Sequence, residues 1–198
     1  MDIFAKNMAK KILIISGSPK KDGNTEILIG WFCEGVKTEN VTIEIIRAAS
    51  LKYKSNGCMS CRACQKLKEY ECVINDEAKP VFRKMAEADV IVMATPLYFF
   101  GASAQLKIIF DRMFSLYKWD NNAGSMQTVL KEKTLVLIAS AFEDVGLDVL
   151  EKPFILTAEY TGMKFKSLLI PNAGVSGAIK DNEKIKRKTI AFGREIVK

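Results

Sequence analysis

Residues 11–25, KILIISGSPKKDGNT, constrain the fold of this chain more than any other stretch. Four consecutive aliphatics at 12–15 run from Lys11 to the breaker Ser16-Gly17-Ser18-Pro19, the pattern of a strand covered on both faces of a parallel sheet. After Asn24 the spacing turns helical, with Ile27, Leu28, Trp31 and Phe32 on one side. A buried strand that passes through a polar loop into a helix leaves free N–H groups and the positive end of the helix dipole at that loop. The loop adds the hydroxyls of Ser16, Ser18 and Thr25, the amide of Asn24 and the cations Lys20 and Lys21. Gly17 and Gly23 allow a ligand close to the backbone. These features predict a phosphate cradle. Neither a Walker A loop nor GxGxxG is present, since no GK[ST] closes the loop and its two glycines stand six apart. A strand-to-helix turn rich in capping residues is the plainer alternative.

The rest of the chain repeats the alternation. Strands are expected at 41–46, 90–94, 134–139 and 164–170, and helices at 76–88, about 102–116, 146–160 with a break near Pro153, and 182–197. Asp76 is a cap candidate, and residues 120–126 read as a polar loop. Five strands with helical crossovers predict an α/β fold, an open parallel sheet with helices on both faces. At 198 residues one domain is expected over 1–198, with a mixed-charge extension at 1–10, frayed or docked at an oligomer contact, and a cysteine-bearing insert at 50–75. Ligands of such sheets bind beyond the carboxyl ends of the strands, here 16–25, 95–101 and 140–144.

The second of these ends, Thr95-Pro96-Leu97-Tyr98-Phe99-Phe100-Gly101, places three aromatics in succession after a buried strand. Consecutive rings cannot all enter one core, so a planar ligand against Pro96, Leu97 and Tyr98 is expected, or else a partner chain; packing under the next helix is the alternative. Histidine is absent, which excludes Ser-His-Asp, Cys-His and HExxH chemistry and leaves the work to a cofactor, cysteines, carboxylates, lysines or tyrosines. The net charge of +7 favours anionic ligands. Its lysines are scattered apart from KIKRK at 184–188, which reads as a solvated helix face, so no nucleic acid is expected. No apolar run approaches the roughly 20 residues of a membrane span, and residues 1–10 lack a signal-like apolar centre; a cytoplasmic protein is expected.

Four of the five cysteines, Cys58, Cys61, Cys64 and Cys72, fall in the insert as CxxCxxCx7C. Four thiols this close in a reducing compartment argue for metal rather than disulfides. The first three have the spacing of a ferredoxin-type iron-sulfur run, with zinc as the second choice. Cys33, alone on the first helix, reads as a small buried hydrophobe.

GSPKKDGNT after the first strand and TPLYFFGASAQLKIIFDRM after the third together resemble the flavodoxin-like NADPH-dependent FMN reductases, over roughly residues 11–170. The resemblance implies strand order 2-1-3-4-5 and an FMN phosphate held by Ser16, Ser18, Lys20, Asn24 and Thr25, with Pro19 in the same loop. It also implies an isoalloxazine ring on Pro96, Leu97, Tyr98, Phe99, Phe100 and Gly101, flanked by the loop that begins at Ser140, with FMN itself as the catalytic group. Lys107, Asp111 and Arg112 are read as structural or interfacial. The insert resembles the iron-sulfur flavoproteins of anaerobes, which implies a 4Fe-4S cluster on Cys58, Cys61, Cys64 and Cys72. Cluster-free reductases of the same superfamily carry a C…C…C…C-x-x-x-D pattern, which Cys72 to Asp76 also fits. Two activities follow: electron transfer from ferredoxin or NAD(P)H to a small acceptor through FMN and a cluster, or a metal-free NAD(P)H-dependent flavin or quinone reductase. The resemblance further implies a homodimer or homotetramer.

Overall fold

A computed structural model of the chain describes residues 9–120 and 124–198. Its elements run β1 (Lys10–Ser16), α1 (Asn24–Val36), β2 (Val41–Arg47), α2 (Lys79–Glu87), β3 (Val90–Tyr98), β4 (Gly101–Ala102) and α3 (Ala104–Arg112), followed by β5 (Tyr117–Asp120), β6 (Ser125–Thr128), β7 (Thr134–Ser140), α4 (Leu147–Thr161), β8 (Lys164–Ile170) and α5 (Glu183–Val197). The five long strands are parallel in the order β2-β1-β3-β7-β8, so the chain reverses its direction of travel across the sheet between β1 and β3. The alternation predicted the parallel sheet, and the family resemblance this order.

Side-chain alternation explains why the inner strands read as unbroken apolar runs. Leu13, Ile15, Ile91, Met93, Leu135 and Leu137 pack with Phe82, Leu106 and Phe154 beneath α2, α3 and α4. Their neighbours Ile12, Ile14, Val92, Val136 and Ile138 pack on the other face with Leu28, Phe32 and Phe192 of α1 and α5. Each strand therefore buries both faces, which only a sheet covered on both sides allows. Edge strand β2 is half-exposed, as the polar Thr42 and Glu44 require. Helices α1 and α5 cross at Gly35 and Gly193, where a Cβ on Gly35 would lie 2.3 Å from the Ile190 carbonyl and one on Gly193 2.7 Å from that of Phe32.

The structure departs from expectation at several ends. β3 continues through Pro96 to Tyr98. The Gly17 N–H donates to Ala94 O (2.7 Å), so residue 94, and by the two-residue period residue 96, turns its polar groups toward β1, which has already ended; the missing proline N–H costs nothing there. α4 passes unbroken through Pro153, because Pro153 and the Val149 carbonyl it leaves free lie on the exposed side, where water serves as partner. α2 starts later than expected, with Ala78 at its N-cap; Asp76 accepts the Ala78 N–H (3.2 Å) and also pairs with Arg112. The polar loop expected at 120–126 is shorter, because Asp120 belongs to β5 and Ser125 and Met126 to β6; this hairpin is held by Gln65 of the distant insert, which donates to Tyr117 O and accepts from Trp119 N. Cys33 is half-buried rather than buried. Most of the 1–10 extension lies outside the described residues, while Lys10 opens β1. Among the described residues no helix is long and apolar enough to cross a membrane.

Replacing Gly35 by alanine should destabilise the fold by about 1–3 kcal/mol through overpacking against α5. Urea unfolding should show a lower midpoint at unchanged slope.

Candidate functional site

Four chain segments meet beyond the carboxyl ends of β1, β3, β7 and β8 around a cleft of about 350 Å³. Ser18, Lys20 and the start of α1 (Gly23, Asn24, Thr25) form one wall, and Pro96, Leu97 and Tyr98 form another. Ser140, Ala141 and Phe142 follow β7, and Gly174, Val175 and Ser176 follow β8. Gly23 is the N-cap of α1 and has no side chain with which to cap it, so the first N–H groups of the helix lack intrahelical partners at the cleft wall.

Ser103, Gly17 and Asn24 lock these segments together. Ser103, fully buried at the N-cap of α3, donates its hydroxyl to Gly17 O (2.6 Å) and accepts from Leu106 N (3.3 Å), while its own N–H reaches Thr95 Oγ1 (3.0 Å). Gly17 must be glycine, because a Cβ there would lie 2.6 Å from Leu106 Cβ and 2.7 Å from Ser103 Oγ. Asn24 spans the cleft floor: its amide donates to Ala173 O (3.0 Å) and Val175 O (3.0 Å), so it orders the loop after β8.

The expected site residues divide in two groups. Ser18, Lys20, Asn24, Thr25, Pro96, Leu97, Tyr98 and Ser140 line the cleft. Ser16 is buried and donates to Glu26, whose carboxylate also pairs with Arg47 (2.8 Å). Pro19 is exposed in the adjoining loop. Phe99 and Phe100 form the two-residue turn between Tyr98 and Gly101, both with left-handed φ (45° and 62°), a conformation that costs non-glycine residues of order 1–3 kcal/mol each. Phe99 is fully exposed (101%), whereas Phe100 lies over Gly146.

The cysteine insert forms a second locus. Cys58, Cys61, Cys64 and Cys72 border one cavity of about 20 Å³, together with Arg112. Cys64 and Cys72 are buried, and Cys58 and Cys61 exposed. Burial pushes the Cys64 thiol up, against the Gln65 hydrogen bond and the charge of Lys118. Glu71 is clamped by Arg83 and by Lys79 (3.0 Å); the Arg83 hydrogen bond holds its carboxylate below the ordinary value despite burial. Arg112, 1% exposed, binds Asp76 in bidentate fashion (2.8 and 2.9 Å) and leaves its Nε without a partner. Burial alone would raise the Asp76 pKa, but hydrogen bonds from Arg112, Lys54 N and Ala78 N hold it lower than usual. The donor set, four thiols and a free buried guanidinium N–H around one cavity, fits an anionic sulfur-ligated cluster. The space is tight, and among the described residues no group of three His, Cys, Asp or Glu stands ready for a metal ion.

Sequence reasoning missed Ser103, Glu26, Arg47, the 174–176 loop and the role of Arg112. Only Ser103 carried a signal, as a serine opening an apolar helix.

The sheet order and the cleft at its switch point define the flavodoxin-like class of doubly wound α/β proteins. The sequence model described as NADPH-dependent FMN reductase matches residues 10–166, and the chain belongs to that family. An iron-sulfur flavoprotein of Methanocaldococcus jannaschii is 38% identical over 102 residues, covering 52% of this chain and 51% of that protein. One from Methanosarcina thermophila is 36% identical over 102 residues, with coverage of 52% and 51%. The chain thus spans about half the length of these curated relatives. An FMN-dependent NADH-azoreductase from Bacillus anthracis, solved in complex with FMN, superposes with a TM-score of 0.68 at 15% identity, covering 96% of this chain and 100% of that one.

Asp76→Asn should cost about 3–5 kcal/mol, since it strips the buried Arg112 of its counter-charge. Because the folded pKa of Asp76 is depressed, its contribution is complete above the unfolded value of about 3.9 and is lost as pH falls through the lower folded value. Urea midpoints measured against pH should fall less steeply on the acid side in the variant than in the wild type.

Proposed function

We propose that the cleft binds FMN and that the chain is a flavin-dependent oxidoreductase passing electrons from NAD(P)H or a reduced ferredoxin to a small acceptor. The observation that carries this reading is the joining, in one cleft, of an uncapped helix N-terminus with Ser18, Lys20 and Thr25 to an apolar ledge at Pro96–Tyr98. The first half suits a phosphate and the second a flat ring. Lys20 supplies charge, the hydroxyls of Ser18 and Thr25 and the N–H groups of α1 supply hydrogen bonds, and Asn24 keeps the far wall in place through the 173–175 carbonyls. Ser16 acts from behind the cradle by holding Glu26, which Arg47 neutralises so that its charge does not repel a phosphate. Tyr98 and Ser140 face the ring position from two sides, and Phe99 to Gly101 form its rim. The exposed Phe99, Phe142 and Val175 at that rim support closure of the site by a second copy in a homodimer or homotetramer.

The insert holds a 4Fe-4S cluster through Cys58, Cys61, Cys64 and Cys72. The thiol set around one cavity supports this, as do the relatives named iron-sulfur flavoproteins. When bound, FMN supplies two-electron and one-electron chemistry and the cluster one-electron chemistry, while the protein sets their position and potential. A second reading, a cluster-free reductase, is favoured by the small cavity and by the Arg112–Asp76 pair that ties the insert down without metal.

Ser18→Ala combined with Thr25→Val should weaken FMN binding at least tenfold, since hydrogen bonds to a charged group are each worth about 1.5–3 kcal/mol; flavin fluorescence titration reads this, and an unchanged affinity refutes the cradle. In anaerobically prepared protein, Cys61→Ser should lose iron and sulfide yet retain FMN. Wild type free of iron would instead establish the cluster-free reading.

A further inference from the structure

The Arg112 side chain is fully shielded from solvent, and so is its partner Asp76 (0% and 1% exposed). Its Nη1 and Nη2 are spent on the Asp76 carboxylate, with a longer contact from Nη2 to Ile74 O (3.5 Å). The guanidinium carbon lies 5.3 Å from the Phe82 ring centre, which packs it from the side. What remains is Nε, the only buried side-chain polar atom among those described without a hydrogen-bond partner. Arg112 borders the cavity that the four insert cysteines share, and Cys72 stands beside the guanidinium. A buried donor is expensive to leave unmade, and a cation held rigidly by its counter-ion still directs its free N–H at whatever anion is nearest. Four sulfur ligands around a cluster present such an anion.

We propose that Arg112 is a positioning residue of the cysteine site, its Nε–H donating to the Cys72 sulfur or to a cluster sulfide, with Asp76 fixing the angle of the guanidinium. This rests on the cluster reading above. Hydrogen bonds to cluster sulfurs withdraw electron density and favour the reduced state, so Arg112 raises the reduction potential of the cluster. Lys118, which donates to Cys64 O and Glu69 O, is engaged with backbone and does not substitute for it.

The test uses the whole chain, prepared without oxygen and carrying ¹⁵N-labelled arginine, with iron, sulfide and FMN measured on the same sample. Pulsed electron paramagnetic resonance of the reduced cluster should show a ¹⁵N coupling in the wild type. It should vanish in Arg112→Lys and persist in Arg62→Lys, the other arginine at the cavity. The cluster potential in Arg112→Lys should move to a more negative value while the FMN potential stays where it was. A loaded wild type without ¹⁵N coupling, a coupling lost only in Arg62→Lys, or a cluster potential that does not move overturns the inference while sparing the cluster. The wild-type spectrum decides the matter even where the lysine variant does not fold. Absence of iron and sulfide from wild type overturns both readings together.

Discussion

The hydroxyl of Ser103 takes hold of the Gly17 carbonyl and the Leu106 N–H at once, and the working end of the molecule depends on that bridge. Strands of a parallel sheet fix one another only as far as their ladders run, and β1 stops at Ser16. Beyond it the 17–23 loop has few backbone bonds of its own. Ser103 ties it to the start of α3, and the absence of a Cβ at Gly17 lets the two segments touch. Asn24 does the same for the loop after β8, with its amide shared among the carbonyls of Ala173, Gly174 and Val175. The cleft is therefore largely preformed, which lowers the ordering cost of binding there.

Helix α3 carries both candidate sites. Its first turn belongs to the cleft through Ser103, and its last residue, Arg112, reaches the cysteine cavity. At about 1.5 Å per residue the helix spaces these anchors by roughly 14 Å. An irregular insert with short 3-10 turns is thus held by a few strong polar contacts: Arg112 to Asp76, Arg83 and Lys79 to Glu71, and Gln65 to the β5–β6 hairpin. Of these only Arg112–Asp76 is buried on both sides, and removing one member of that pair strands the other, so it confers geometry more than net stability.

How much of this the sequence disclosed follows from range. Aliphatic runs at 12–15 and 90–94 and the helical spacing after Asn24 are local, and crossovers of one hand made the sheet parallel; its strand order came from the family resemblance. Ser18, Lys20, Thr25 and Pro96 to Tyr98 were legible as cleft-lining residues because sheets of this kind open their clefts at the carboxyl ends of strands. The division of labour within the loop was not. Ser16 looks like any loop hydroxyl until Glu26 is placed beside it, and Asn24 reads as a ligand contact until the 173–175 carbonyls arrive from the other end of the chain. Arg112 read as structural or interfacial because its two partners, Asp76 and the cysteine cavity, are brought together only by the tertiary fold. Pro153 misled for the converse reason: its helix tolerates the missing bond on the solvent side.

The central claim is that a phosphate cradle and a ring ledge form one FMN site. Calorimetric titration of flavin-free protein with FMN and, separately, with riboflavin tests it most directly. The account predicts one FMN per chain and a far weaker riboflavin complex, with the FMN advantage shrinking as salt screens Lys20 and the helix terminus. Equal affinity for the two flavins would contradict it.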